Sequence, residues 1–211
     1  MKLTKYEHAC FTLEKDNYTL VVDPGGFSTD FIPPENVVAI VITHEHPDHY
    51  DPELVAAIVD KNPEVVIVGH DAVTSKIEVF TTHAVTPGDV FMVGPFNLEF
   101  FGGDHAVIHP SIAPIRNVGV MVNELIYYPG DSFTLPQKPV DTLALPAAAP
   151  WLKVSEAMDF LASVQPRFAF PTHDAILSPN GQAIHDRLLG MTAEKNGIEY
   201  KRLDASVEVL L

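Results

Sequence analysis

The sequence predicts an α/β fold in which two mixed β-sheets pack together and helices cover the outer faces. Three observations predict it. Short strand-like runs fill the first third of the chain, and strands alternate with helical segments after that. Two continuous apolar runs, Val37–Ile42 and Val65–Val68, read as strands buried on both faces. The 211 residues suit one domain, 1–211, with a sizeable core.

Each element has a local reason. Lys2–Tyr6, Cys10–Glu14 and Thr19–Asp23 read as a meander, with Lys15-Asp16-Asn17 as a turn. After Val37–Ile42 comes a helix. Asp51 suits its N-cap and Pro52 its first position, while Leu54, Ala57 and Ile58 form one apolar face. Asn62-Pro63 stops it, Val65–Val68 follows, and a short helix starts near Asp71. Val90–Val93 and Phe96–Phe101 form a hairpin around Gly94-Pro95, and Val118–Val122 and Leu125–Tyr128 another around Asn123-Glu124. Thr142–Leu145 is a strand. Ser155 is expected to cap a helix that carries Ala157, Leu161 and Val164 on one face and ends at Pro166. Arg167–Phe170 is a strand, Gln182–Lys195 a helix, and Ile198–Leu203 and Val207–Leu210 close the chain as strands.

Composition narrows the functional classes. Hydrophobic residues make up 46% of the chain, but the apolar runs are strand-sized and too short to span a bilayer. The N-terminus lacks a basic segment followed by an apolar stretch, so no signal peptide is expected. Cys10 is the single cysteine, which excludes an internal disulfide and fits a reducing, cytoplasmic compartment. The formal net charge of −15 argues against nucleic acid or an anionic membrane as partner, since clustered Lys and Arg hold both. A small-molecule substrate is the expected partner.

The stretch "VITHEHPDHYDPEL" concentrates chemistry. His44, His46, Asp48 and His49 form H-x-H-x-D-H directly after a buried strand. Imidazole nitrogens and carboxylate oxygens are the donors that borderline divalent metals prefer. His44 and His46 would clamp one ion, Asp48 and His49 a second. Two ions need more ligands, again at strand ends. "FFGGDHAVIH" supplies His105, "IYYPGDSF" supplies Asp131 and "FAFPTHDA" supplies His173, each a few residues past an apolar run. His109 competes with His105, which lies nearer the end of its strand; Asp104 reads as a neighbour.

This pattern resembles the metallo-β-lactamase superfamily. The matching features are H-x-H-x-D-H, a later His, an Asp in a Gly-Asp-Ser turn and a final His, and the likeness runs from "KYEHACFTLE" and "LVVDPG" to "PTHDAILS". The opening looks most like the small cytosolic metal-dependent hydrolases that include ascorbate 6-phosphate lactonase-like proteins. The resemblance implies an αββα sandwich with a dinuclear site. It places His44, His46 and His105 on the first metal, and Asp48, His49 and His173 on the second. Asp131 would bridge them. It further implies a bridging hydroxide as nucleophile on a small ester, lactone, amide or phosphoester, with Asp48 as its catalytic proton carrier. Zinc is the first expectation and manganese or iron the alternatives. His46 is retained where the family's diiron oxidoreductases carry an acidic residue, which favours hydrolysis.

Other residues have weaker claims. Asp23, in "VVDP", is either a carboxylate that orients a ligand histidine or a turn former. His8 either donates to substrate from the rim or is structural. Trp151, in "PAAAPW", is a pocket wall or packing, and Arg116 holds an anionic substrate group or faces solvent. His70, His83 and His185 read as structural, and Cys10 as a buried, inert thiol. A metal-dependent RNA-processing nuclease, a non-catalytic metal-binding sensor and an iron-dependent sulfur dioxygenase are the competing classes.

Overall fold

The chain opens as an antiparallel meander of β1 (Lys2–Lys5), β2 (Phe11–Lys15) and β3 (Tyr18–Val22) in the computed structural model, which describes residues 1–211. Asp16 and Asn17 both take left-handed backbone, φ 52° and 65°, as a two-residue turn matched to strand twist requires. β4 (Val37–Ile42) then runs parallel to β3. α1 (Pro52–Lys61) starts where the Asp51 carboxylate accepts the Glu53 and Leu54 amides, and ends at Asn62. β5 (Val66–Gly69), the one-turn α2 (Asp71–Thr74) and β6 (Thr82–Ala84) complete this half.

The second half repeats the plan. β7 (Val90–Val93), β8 (Phe96–Asp104), β9 (Arg116–Val122) and β10 (Ile126–Tyr128) pair antiparallel. β11 (Thr142–Pro146), α3 (Val154–Val164), β12 (Phe168–Thr172), α4 (Pro179–Asn196) and β13 (Glu199–Tyr200) follow, with these strands parallel to β10. β14 (Glu208–Leu210) returns to the first sheet beside β1. The result is two seven-stranded sheets, β14-β1-β2-β3-β4-β5-β6 and β13-β12-β11-β10-β9-β8-β7.

Three apolar layers hold this α/β sandwich together. Between the sheets, Leu13, Leu20, Val22 and Val41 meet Phe96, Phe100, Val120, Tyr128 and Phe170. Ile40, Ile42 and Ile67 face Val55 and Ile58 of α1 on one outside. On the other, Leu143, Leu145 and Ala169 face Phe160 and Leu161 of α3 and Leu189 of α4. Alternate residues of β4 serve opposite faces, which explains its unbroken apolar run. No helix is long and apolar enough to cross a membrane.

Several boundaries differ from the sequence expectation. β6 is a short, largely exposed edge strand with no apolar signature. β8 continues to Asp104 because Gly102 and Gly103 take φ 90° and 144°, letting the ladder with β9 persist past the expected stop. α3 is capped at Lys153 and not Ser155: the Glu156 carboxylate accepts the Lys153 amide at 2.7 Å. α4 starts at Pro179, since Ser178 Oγ accepts the Gly181 amide.

Candidate metal centre

The C-terminal ends of β3, β4, β8, β10, β11 and β12 feed one edge of the sandwich. Asp23 follows β3, His44–His49 follow β4, His105 follows β8, Asp131 follows β10, Trp151 follows β11 and His173 follows β12. Side chains there form two groups whose potential ligand atoms lie within 4.8 Å of one another. His44, His46, His105 and Asp131 make the first; His8, Asp48, His49 and His173 make the second.

Asp131 lies between them. Its Oδ2 is 3.2 Å from His105 Nε2 and 3.1 Å from His173 Nε2, and its Oδ1 is 3.2 Å from His49 Nε2. Its main chain is pinned: the amide donates to Asn117 Oδ1 at 3.0 Å, and the carbonyl accepts the Ala106 amide at 2.8 Å. Gly130 precedes it at φ 62°, where a Cβ would meet Asn117 Oδ1 at 2.3 Å. Only glycine fits that approach.

The histidine tautomers follow from the hydrogen bonds. His173 Nδ1 donates to Ala148 O at 2.6 Å, His105 Nδ1 to Ala106 O, and His49 Nδ1 to Asp23 Oδ2 at 2.7 Å. Thr43 Oγ1 donates to Asp23 Oδ2 at 2.6 Å and so accepts from His44 Nδ1 at 3.1 Å. His44 Nε2 and His46 Nδ1 then face each other at 3.1 Å. In the neutral rings the inward nitrogens carry lone pairs. His49 Nε2, His105 Nε2, His173 Nε2 and Asp131 Oδ1 are buried with no hydrogen-bond partner. Buried orphans of this kind are costly unless something satisfies them, and a cation suits all four. The donor set therefore fits divalent metal ions.

His8 does not reach substrate from the rim. It is buried, and its Nδ1 accepts the Ala175 amide at 3.3 Å. The proton must then sit on Nε2, which donates to Asp48 Oδ2 at 3.0 Å. Burial lowers the His8 pKa to about 4, which keeps the ring neutral and in that tautomer. His8 thus orients Asp48. Asp23 orients the histidines of both groups: it binds His49 directly and reaches His44 through Thr43. His8, Asp23 and His173 all have left-handed φ values, 57°, 44° and 58°. Such backbone is disfavoured outside glycine, so the surrounding contacts hold the site's main chain in place.

Electrostatics divides the two groups. Burial holds His44 well below its ordinary pKa, and burial with repulsion from His105 lowers His46. Burial also disfavours charge on His49 and His173, but Asp131 outweighs it, helped by Asp23 at His49 and by Asp48 at His173. His49 is pushed well up and His173 to about 9. Burial works against ionisation of Asp131 too, yet His49 and His173 hold its carboxyl well below the usual range. A proton on the inward nitrogen of His49 or His173 would therefore compete with a second cation for the same atom.

Arg116 is exposed, and its guanidinium pairs at 2.7 Å with Asp104, its cross-strand neighbour. His109 is exposed and turned to Ser111. His70 caps α2, His83 stacks on Phe91, and His185 donates to Ala147 O, all outside the cluster. Cys10 is fully buried, and burial pushes its thiol pKa up. Trp151 Nε1 donates to Asp131 Oδ2 at 2.8 Å, a contact that neither a pocket wall nor plain packing anticipates. Sequence reasoning missed Thr43 and Asn117. Thr43 adjoins the motif and was legible in principle; Asn117 is a buried polar residue inside a strand and had no signal.

Comparison with known proteins agrees with this geometry. The β-lactamase superfamily domain model matches residues 2–173. Protein Rv0786c of Mycobacterium tuberculosis is 37% identical over 198 residues, covering 91% of this chain and 93% of that protein. Igni18, a metallo hydrolase from Ignicoccus hospitalis, superposes with a TM-score of 0.76 at 17% identity, over 99% of this chain and 97% of that one. The metallo-β-lactamase fold protein YhfI from Bacillus subtilis gives 0.74 at 17% identity, over 99% and 98%. At such identities the structural likeness shows the fold, while the domain match spans most of the sequence. Fold, ligand-like cluster and domain match converge: the chain belongs to the β-lactamase superfamily and has the metallo-β-lactamase fold.

Proposed function

We propose that the protein is a dinuclear metal-dependent hydrolase of a small ester, lactone, amide or phosphoester. One observation carries the reading: the Asp131 carboxylate stands between two sets of inward-facing nitrogens, three of which are buried and unpaired. His44, His46 and His105 would hold one ion, Asp48, His49 and His173 the other, and Asp131 both. Zinc suits the donor set first, then manganese or iron. Bound cations supply acidity at such a site, lowering the pKa of water and polarising a carbonyl or phosphoryl oxygen.

The chain's own groups do the rest. Asp48 is the solvent-facing carboxylate of the set, 22% exposed against 3% for Asp131. The His173 ring 3.3 Å away and the hydrogen bond from His8 outweigh the effect of burial and keep it ionised. With Oδ2 engaged by His8, Asp48 is placed to take a proton from the attacking water and deliver it to the leaving group. The acidic surface, net −15, supports a small substrate over nucleic acid. The opening "KYEHACFTLE" supports a place near the ascorbate 6-phosphate lactonase-like subgroup.

The test is a hydrolysis screen over esters, lactones, amides and phosphodiesters with zinc- or manganese-loaded protein. Turnover should vanish with a chelator and return with metal. Protein that keeps two ions and cleaves nothing would remove the support for hydrolysis.

A further inference from the structure

We infer that Trp151 is the positioning residue of Asp131, holding its carboxylate between the two ligand groups through the indole N–H. This rests on the dinuclear reading. Trp151 Nε1 lies 2.8 Å from Asp131 Oδ2. An indole has one donor and no acceptor, so the direction of this bond carries no tautomer ambiguity. The other close neighbours of the carboxylate are His49 Nε2, His105 Nε2 and His173 Nε2. Their Nδ1 protons are spent on Asp23, Ala106 O and Ala148 O. Once ions engage the three inward nitrogens, those rings give Asp131 no hydrogen bond. Trp151 is the donor that persists.

The indole is itself fixed. Its ring meets Phe133 at 5.1 Å and 69°, and His105 at 6.0 Å and 75°. A β-bridge between Ala149 and Leu152 ties the main chain on either side of it. The Asp131 main chain is held by Asn117 and Ala106, so the carboxylate torsion is the freedom left for Trp151 to restrict. An N–H on Oδ2 fixes that torsion and draws density from one oxygen, which leaves Oδ1 the stronger donor. Hydrogen bonds to a ligating carboxylate change metal affinity by about 10–100-fold.

Trp151 is the only tryptophan in the chain, so one indole signal reports on the site. The experiment compares wild type, Trp151→Phe, and protein in which the lone indole is replaced biosynthetically by its benzothiophene analogue. The analogue keeps shape and loses the N–H. Zn²⁺ affinity and stoichiometry are read by competition with a chromophoric chelator, and the indole N–H by ¹⁵N NMR. We expect one indole resonance that shifts as Zn²⁺ is added, and Zn²⁺ binding about 10–100-fold weaker in both altered proteins. Wild-type affinity in the analogue protein overturns the assignment. So does a lowered metal-free thermal midpoint with unchanged Zn²⁺ affinity, which marks packing alone. Wild type that takes up fewer than two Zn²⁺ overturns the dinuclear reading instead. Should Trp151→Phe fail to fold, the analogue protein decides.

Discussion

Asp23→Asn probes the support beneath both ligand groups. The Asp23 carboxylate accepts three hydrogen bonds: the Thr43 amide at 2.8 Å on Oδ1, and Thr43 Oγ1 at 2.6 Å and His49 Nδ1 at 2.7 Å on Oδ2. An asparagine has one oxygen. Whichever way the amide turns, its NH₂ meets at least one buried donor. An unpaired buried donor costs about 1–3 kcal/mol, and the remaining bonds lose charge assistance, which roughly halves them. Together these give a loss on the order of 3 kcal/mol. For a chain of this length that is a fall of about 6–12 °C in the thermal midpoint. The assay is urea unfolding of metal-free protein, reading a lower midpoint with an unchanged slope. Since Asp23 orients His49 directly and His44 through Thr43, the affinity for both ions should also drop by about 10–100-fold. An Asp23→Asn protein within about 0.5 kcal/mol of wild type, a shift ordinary for neutral surface changes, would refute this account if metal affinity were also unchanged.

Three further outcomes are expected. In Gly25→Ala the new Cβ would sit 1.9 Å from Asp48 O and 2.4 Å from His49 N, and both are backbone atoms that cannot rotate away. It should cost at least about 1–3 kcal/mol and weaken the second ion before the first, as equilibrium dialysis with metal analysis would show. His105→Ala should lower occupancy of the first site, whereas His109→Ala should change neither ion; the reverse pattern would discredit the choice of ligand. The pH dependence of metal binding should differ between the sites. The His173 pKa is raised to about 9, so its proton competes with a cation at every pH below that value. His44 and His46 are lowered, so protons compete there only in more acidic solution. On acidification the second ion should leave first, and loading it near pH 7–8 should release protons measurable by calorimetry in buffers of different ionisation enthalpy. Simultaneous loss of both ions without proton release would contradict this order.

The residue types and spacing of His44, His46, Asp48 and His49 marked a candidate cation site, because imidazole and carboxylate donors crowded in one turn are what borderline divalent metals prefer. The apolar runs at β4 and β5 and the turns at Asp16-Asn17 and Asn123-Glu124 were local signals as well, written in burial and left-handed backbone. Short-range pattern failed where elements depend on a neighbour. β6 is a strand only because β5 offers it a parallel edge, and β8 runs on past two glycines only because β9 continues the ladder. The same limit applied at the site. Asp131 and His173 could be named from sequence, but their meeting needed strands β4, β8, β10 and β12 to deliver their ends to one edge. His8 in place against Asp48, the path from Asp23 through Thr43 to His44, and the Trp151 N–H on Asp131 link residues 20 to 40 positions apart. Such contacts are fixed by packing of the two sheets, and a linear pattern holds no period that could encode them.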